Sequence, residues 1–154
     1  MTHVVLYAFD TMAYPIERGG DSMASWEKAL QGITAGGGTS CGVPLDAMTR
    51  KRQYAEQIIV VTDECENSAP LFVEALKKYR EELKADPNVC FVRTPQSSTQ
   101  REEECRKAGI ACDAFQFTGD YYSLPNLVPL LARPSKLELL MEIMDYPLPQ
   151  RQLA

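Results

Sequence analysis

The sequence predicts an α/β fold, a mostly parallel sheet flanked by helices on both faces. Three observations carry that reading. Short β-branched and apolar runs alternate with segments whose apolar residues recur at helical spacing. The run Gln57 to Thr62 (QIIVVT) reads as a continuous apolar strand, a pattern found where both faces are covered. Apolar residues make up 45% of the chain and charged residues 24%, the balance of an ordinary globular domain. With 154 residues a single domain, 1–154, is expected. A domain of this size buries roughly 70% of its unfolded surface and needs neither disulfide nor metal to hold it together.

The elements follow in order. His3 to Phe9 (HVVLYAF) is β-rich, and Asp10 ends it. Met12 to Ile16 reads as a short returning edge strand, a place that suits Pro15. Gly19, Gly20 and Asp21 break the chain, and Met23, Trp26, Leu30 and Ile33 then mark an amphipathic helix over about 23 to 33. After the glycine run Gly36-Gly37-Gly38, a helix is expected from about 41 to 54, with Thr39 or Ser40 as its N-cap. The strand Gln57 to Thr62 ends in Asp63-Glu64. Asn67-Ser68 is placed to cap the next helix, with Pro70 in its first turn and Phe72, Leu76, Tyr79 and Leu83 as its buried stripe.

Asn88 to Arg93 (NVCFVR) is another strand. Ser97 and Gln100 have capping-box spacing before a highly charged helix that stops at Gly109. Cys112 to Phe117 (CDAFQF) is the last strand. Tyr121 to Leu131 is a loop with room for a short helix. Ser135 and Glu138 form a second capping box. Leu137, Leu140, Met141 and Met144 give the final helix its apolar face, and Pro147 and Pro149 stop it. Trp26 and most tyrosines read as core, while Tyr121-Tyr122 could present an aromatic contact surface.

Composition excludes several functions. The net charge of -5 disfavours nonspecific nucleic-acid binding, which requires a basic surface to release counterions. The cluster Arg50-Lys51-Arg52 reads as a solvated helix end. No apolar run approaches the roughly 18 residues of a membrane span, and the first residues have no signal-peptide pattern. A cytoplasmic location is expected. The five cysteines are odd in number and include no CxxC pair, and there is one histidine, His3. A closed zinc site is not expected, and reduced thiols fit best. Cys90 and Cys112 read as buried small hydrophobes. A single histidine before the first strand also argues against Ser-His-Asp or Cys-His catalysis.

In an open parallel sheet, ligands gather at the carboxyl ends of the strands. That side receives Asp10, Asp63 and Thr118-Gly119-Asp120, and the Gly36 to Ser40 loop could join them. The carboxylates Asp63, Glu64 and Glu66 suit a hard cation, and equally suit a solvated acidic loop that caps a helix. The glycine loop lacks the lysine of a nucleotide P-loop, because Thr39 stands in that position. Cys41 lies at a helix N-terminus, which lowers a thiol pKa, but the neighbouring carboxylates oppose this and no catalytic thiol is expected.

Gly37-Gly38-Thr39-Ser40, followed by the strand Ile58 to Thr62 and Asp63-Glu64, resembles the von Willebrand factor type A domain. Three longer stretches resemble the C-terminal domain of bacterial Ro (TROVE) RNA-binding proteins. They are Tyr7 to Thr11, Ile33 to Cys41 and Phe115 to Tyr122. The likeness spans nearly the whole chain. It implies a divalent cation, Mg²⁺ or another, at the carboxyl edge of the sheet. The family's ligands are an Asp-x-Ser-x-Ser motif after its first strand, a Thr from the Gly-Thr loop and an Asp after its fourth strand. By resemblance Thr39 and Asp63 fill the last two roles, with Ser40, Asp10 and Glu64 as accessory residues at the same edge.

The chain departs from the family at one place. It contains no Asp-x-Ser-x-Ser, and Met12 and Tyr14 stand where Asp10 would need serines. His3 to Phe9 matches the family's second strand instead. The family's strand order, 3-2-1-4-5-6, makes the unmatched first strand the central one, so the expected topology is an incomplete von Willebrand A (Rossmann-like) sheet. A gap between His3–Phe9 and Gln57–Thr62 would leave two rows of unpaired backbone groups, each costing roughly 1–3 kcal/mol if buried. Another polypeptide could supply the strand, the two strands could close up and pair directly, or an upstream part could lie elsewhere.

The resulting expectation is a non-enzymatic protein-interaction module of a Ro-type ribonucleoprotein, with a partial metal site and weak or no Mg²⁺ binding by the isolated chain. RNA would be engaged only indirectly, through the ribonucleoprotein. One alternative is a small phosphate-binding hydrolase using Asp10, Asp63 and the Gly36–Ser40 loop. Another is an interaction domain that needs no metal.

Overall fold

The structure is a computed structural model and describes residues 3–17, 19–34, 36–63 and 65–147. It is α/β, and its strands fall into two separate sheets. β1 (Leu6–Phe9) and β2 (Ala13–Ile16) form an antiparallel hairpin, with Leu6 opposite Ile16 and Phe9 opposite Ala13. The expected first strand began at His3. It is shorter because β2 ends opposite Leu6 and offers residues 3–5 no partner. β3 (Gln57–Thr62), β4 (Asn88–Arg93) and β5 (Asp113–Gln116) form a parallel sheet in that order. The two crossovers run through α3 (Phe72–Leu83) and α4 (Gln100–Lys107).

The core lies between this sheet and its helices. α2 (Val43–Lys51) contributes Leu45, and α3 contributes Phe72, Ala75, Leu76, Tyr79 and Leu83. These pack with Val60, Val89 and Phe91, and with Cys105 of α4. The stripe expected for α3 is therefore present and buried. Phe72 and Phe91 meet edge to face, with ring centroids 5.1 Å apart, a favoured aromatic geometry.

The opposite face of the sheet is covered unevenly: Cys90 and Val92 of β4 are buried there, and Gln57 bonds the Leu130 carbonyl, whereas other elements lie open. α1 (Met23–Leu30) buries no residue, and neither does α6 (Lys136–Asp145). Ile59 and Val61 are 45% and 61% exposed, so β3 is not covered on both faces. Trp26 is half-buried, and Tyr79 is the one fully buried tyrosine among the described residues, so the reading of Trp26 and most tyrosines as core fails. The apolar stripes of α1 and α6 are real in sequence, but among the described residues neither helix fully buries a side chain.

Helix ends differ from the local signals. α1 starts at Ser22, whose hydroxyl accepts the Ser25 N–H, and ends three residues short of Ile33. α2 was expected over 41 to 54, but Gly42 is its N-cap and Arg52, in the left-handed region at φ 52°, ends it. Its last turn holds Arg50 and Lys51 at the carboxyl end of the dipole, and Lys51 also bonds the Tyr7 hydroxyl. Neither Asn67 nor Ser68 caps α3, and the Ser97–Gln100 box does not form; the N-caps are Leu71 and Thr99. The Ser135–Glu138 capping box forms in full at the start of α6. Between β5 and α6 a 3₁₀ turn (Tyr121–Asn126) leads into the short α5 (Val128–Leu131). Cys90 is buried as expected, whereas Cys112 is half-buried. Pro149 lies outside the described residues.

Candidate functional site: a cleft between two strand edges

β1 pairs with β2 alone and β3 with β4 alone among the described residues. A cleft of about 430 Å³ lies between them. Tyr7, Ala8 and Phe9 line one side, and Val61, Thr62 and Asp63 the other. Side chains on a strand alternate between faces, so three consecutive lining residues mean that each strand borders the cleft with its edge. Thr39 and Thr94 complete the lining. The two strands do not close up and pair directly, which removes one of the three routes open to the sequence.

The ladder parity fixes which groups face the cleft. The Asn88 N–H donates to the Glu56 carbonyl at 2.9 Å, and the Thr94 N–H to the Thr62 carbonyl at 3.1 Å. Glu56, Ile58, Val60 and Thr62 therefore turn their main-chain groups to β4. By alternation, the N–H and C=O of Ile59 and Val61 point to the free edge.

The glycine loop is tied into the mouth of this cleft. The Ser40 N–H donates to the Asp10 carbonyl at 2.8 Å, joining the loop to the end of β1. The Thr39 N–H donates to the Asn67 Oδ1 at 2.8 Å, and the Thr39 carbonyl accepts from the N–H groups of Asn67 and Ser68. Gly37 sits at φ +80°, a conformation open to glycine at no steric cost. A Cβ on Gly38 would stand 2.5 Å from the Ser68 Oγ. Close packing of loop against loop thus explains Gly38, and the positive φ explains Gly37. Ser40 is fully buried and its hydroxyl donates to the Pro70 carbonyl at 2.6 Å, so it is a structural tie and not an exposed ligand.

Asp63 is exposed at the end of β3, and its Oδ1 accepts the Cys65 N–H at 2.9 Å. Asp10 closes its own hairpin turn. Its Oδ1 accepts the Met12 N–H at 2.7 Å and its Oδ2 the Tyr14 hydroxyl at 3.3 Å. Asp120 caps the 3₁₀ turn through the Tyr122 N–H and does not line the cleft. Tyr121 and Tyr122 are 76% and 94% exposed, so neither packs as core. Glu64 lies outside the described residues. The structure thus brings Thr39 and Asp63 to one cleft, 24 residues apart in sequence, and gives Asp10 and Ser40 local structural work.

Glu66 departs furthest from its sequence reading. It is buried, and its carboxylate accepts the Cys41 N–H at 2.8 Å and the Phe72 N–H at 3.0 Å. It also pairs with Arg101. This one side chain caps α3, holds the end of the glycine loop and anchors α4. Burial pushes its carboxyl pKa up, opposed by the Phe72 N–H and by Arg101. Nothing in the sequence singled out Arg101, which sits in a charged helix without an apolar stripe. Cys41 is buried, and burial together with Glu66 pushes its thiol up to about 11, so it is protonated at neutral pH and is a poor nucleophile.

Thr39 and Asp63 offer hard oxygen donors that suit Mg²⁺, but two side chains fill only part of the roughly six positions such an ion takes. Among the described residues, no three His, Cys, Asp or Glu side chains gather as a metal-ligating group. No described helix is long and apolar enough to cross a membrane. Comparison with protein-family models, with curated proteins and with solved structures returns no match for this chain.

Proposed function

We propose that this chain is a non-enzymatic protein-interaction module, an incomplete von Willebrand A-like domain acting in a Ro-type ribonucleoprotein in the cytoplasm. Thr39 and Asp63 contribute to a Mg²⁺ site that another polypeptide completes, and RNA is reached only through that assembly. The observation that carries the reading is the meeting of Thr39 and Asp63 at one cleft between two strand edges. A hydroxyl and a carboxylate are the donors a hard cation takes, and the open positions leave room for a partner's oxygen ligands. The resemblance of the Gly37–Ser40 loop and the Ile58–Asp63 strand supports the choice of family.

The test is affinity capture of the tagged chain from its native host in Mg²⁺ buffer and again in EDTA, read by mass spectrometry. The reading expects a partner that is retained in Mg²⁺, released by EDTA, and lost on Thr39→Ala or Asp63→Ala with the fold kept. A partner that ignores EDTA and both substitutions would favour a metal-independent interaction domain and would end the metal proposal.

A further inference from the structure

We infer that the cleft between β1 and β3 is a receptor for one extended strand of a second polypeptide, which pairs with β3 and β1 at once and joins the two sheets into one. The inference deepens the interaction-module reading and rests on it, and it states what the partner inserts. Both walls are strand edges. The N–H and C=O of Ile59 and Val61 face the opening, as the β3–β4 ladder parity requires. A strand satisfies a row of such groups at a spacing of about 4.8 Å on each side, whereas a helix or a small molecule does not.

The walls also state the occupant's chemistry. Its inner face would meet the side of the sheet on which Val60 is buried, toward Cys41, Leu45 and Phe72 of the core. Its outer face would lie beside Ile59 and Val61, whose side chains are exposed. Both faces therefore favour small and β-branched apolar residues, as in a central strand. Among the described residues lining the cleft, Asp63 alone carries a charge. With no metal bound, as in the titration below, a basic residue near Asp63 is complementary to that mouth; in Mg²⁺ the ion takes that place and the partner's oxygen ligands meet it. β3 runs for six residues, which sets the length of the paired segment.

The probe is the acetylated and amidated peptide KKVVAVVTKK, carrying a fluorophore on its first lysine, titrated with the full chain in EDTA. Expected is saturable one-to-one binding, with slowed amide exchange at Ile59 and Val61 and along Leu6–Phe9. Val61→Pro removes an edge-facing N–H and leaves the β3–β4 bonds in place, since proline is tolerated on an edge. It should weaken binding by about tenfold or more while circular dichroism is unchanged. Ile59→Pro is the second variant, should the first fail to fold. Absence of binding, or binding indifferent to the proline variants, would overturn the inference. So would amide protection that grows with protein concentration and no peptide, because a second copy would then fill the edge. Working in EDTA separates the two ideas. The strand can bind while the Mg²⁺-dependent partner is never found, and a Mg²⁺-dependent partner can be captured while the peptide fails to bind.

Discussion

The Glu66 carboxylate meets the Arg101 guanidinium with both side chains withdrawn from solvent, 35 residues apart in sequence. Glu66 spends its other lone pairs on the N–H groups of Cys41 and Phe72, so one pair ties the glycine loop, α3 and α4 together. Removing either partner leaves the other charge buried. Glu66→Gln and Arg101→Met should each cost about 3–5 kcal/mol in urea unfolding. The double variant should recover part of that loss, and full additivity of the two losses would refute the coupling.

Gly42 lies where a Cβ would stand 2.5 Å from the Pro70 carbonyl oxygen and 2.7 Å from that of Leu71. Backbone cannot rotate away as a side chain can. Gly42→Ala should therefore destabilise by about 1–3 kcal/mol. Gly38→Ala meets the ends of Ser68 and Asn67 instead and should cost less, a ranking that thermal melts of the two variants will check.

The buried thiols predict an alkaline limit. Burial first, then neighbouring groups, push Cys41 up to about 11 and Cys105 to about 12, from an ordinary 9.0. Below pH 9 both states keep the thiols protonated and the contribution to stability is whole. Above it the unfolded chain ionises and the folded one does not, so stability falls as pH rises from about 9 to 12. Unfolding midpoints across that range should fall, and less steeply in Cys105→Ala than in the parent. At neutral pH a thiol reagent should label exposed Cys65 quickly and Cys41, Cys90 and Cys105 only on unfolding.

At α6 the Ser135 hydroxyl accepts the Glu138 N–H at 3.1 Å and the Glu138 carboxylate accepts the Ser135 N–H at 2.9 Å. Ser135→Ala should lower stability by about 1 kcal/mol. A loss of helical circular dichroism with the rest of the fold intact would place the change in this helix.

Asp63→Ala and Thr39→Ala touch exposed or half-exposed side chains with few bonds. Each should shift stability by no more than about 0.5 kcal/mol while removing any Mg²⁺-dependent capture of a partner. A large drop in melting temperature would instead assign these residues a structural role.

Local pattern carried much of the fold. The strand over Gln57–Thr62, the α3 stripe and the Ser135–Glu138 box are all set by residues within one or two turns of each other, and each forms, although β3 lacks the cover on both faces that its run predicts. Capping at α2, α3 and α4 was not legible. Ser40 is drawn off by the Pro70 carbonyl, and Glu66, not Asn67 or Ser68, takes the Phe72 N–H. Choices among competing donors and acceptors depend on where distant segments dock, and sequence spacing does not encode that.

The sequence by itself determined the alternation of strand and helix, and it placed Asp63 at a strand end, where a parallel sheet gathers its chemistry, and Thr39 in a glycine loop that could join it. Only the tertiary structure decided three things. β1 and β3 stand apart with their edges facing one cleft. Ile59 and Val61 remain exposed, and Glu66 is buried against Arg101. The physical reason is common to all three. A strand's hydrophobic pattern requires cover and its edge requires a hydrogen-bonding neighbour, but which neighbour arrives, and whether it belongs to the same chain, is a property of the assembled surfaces.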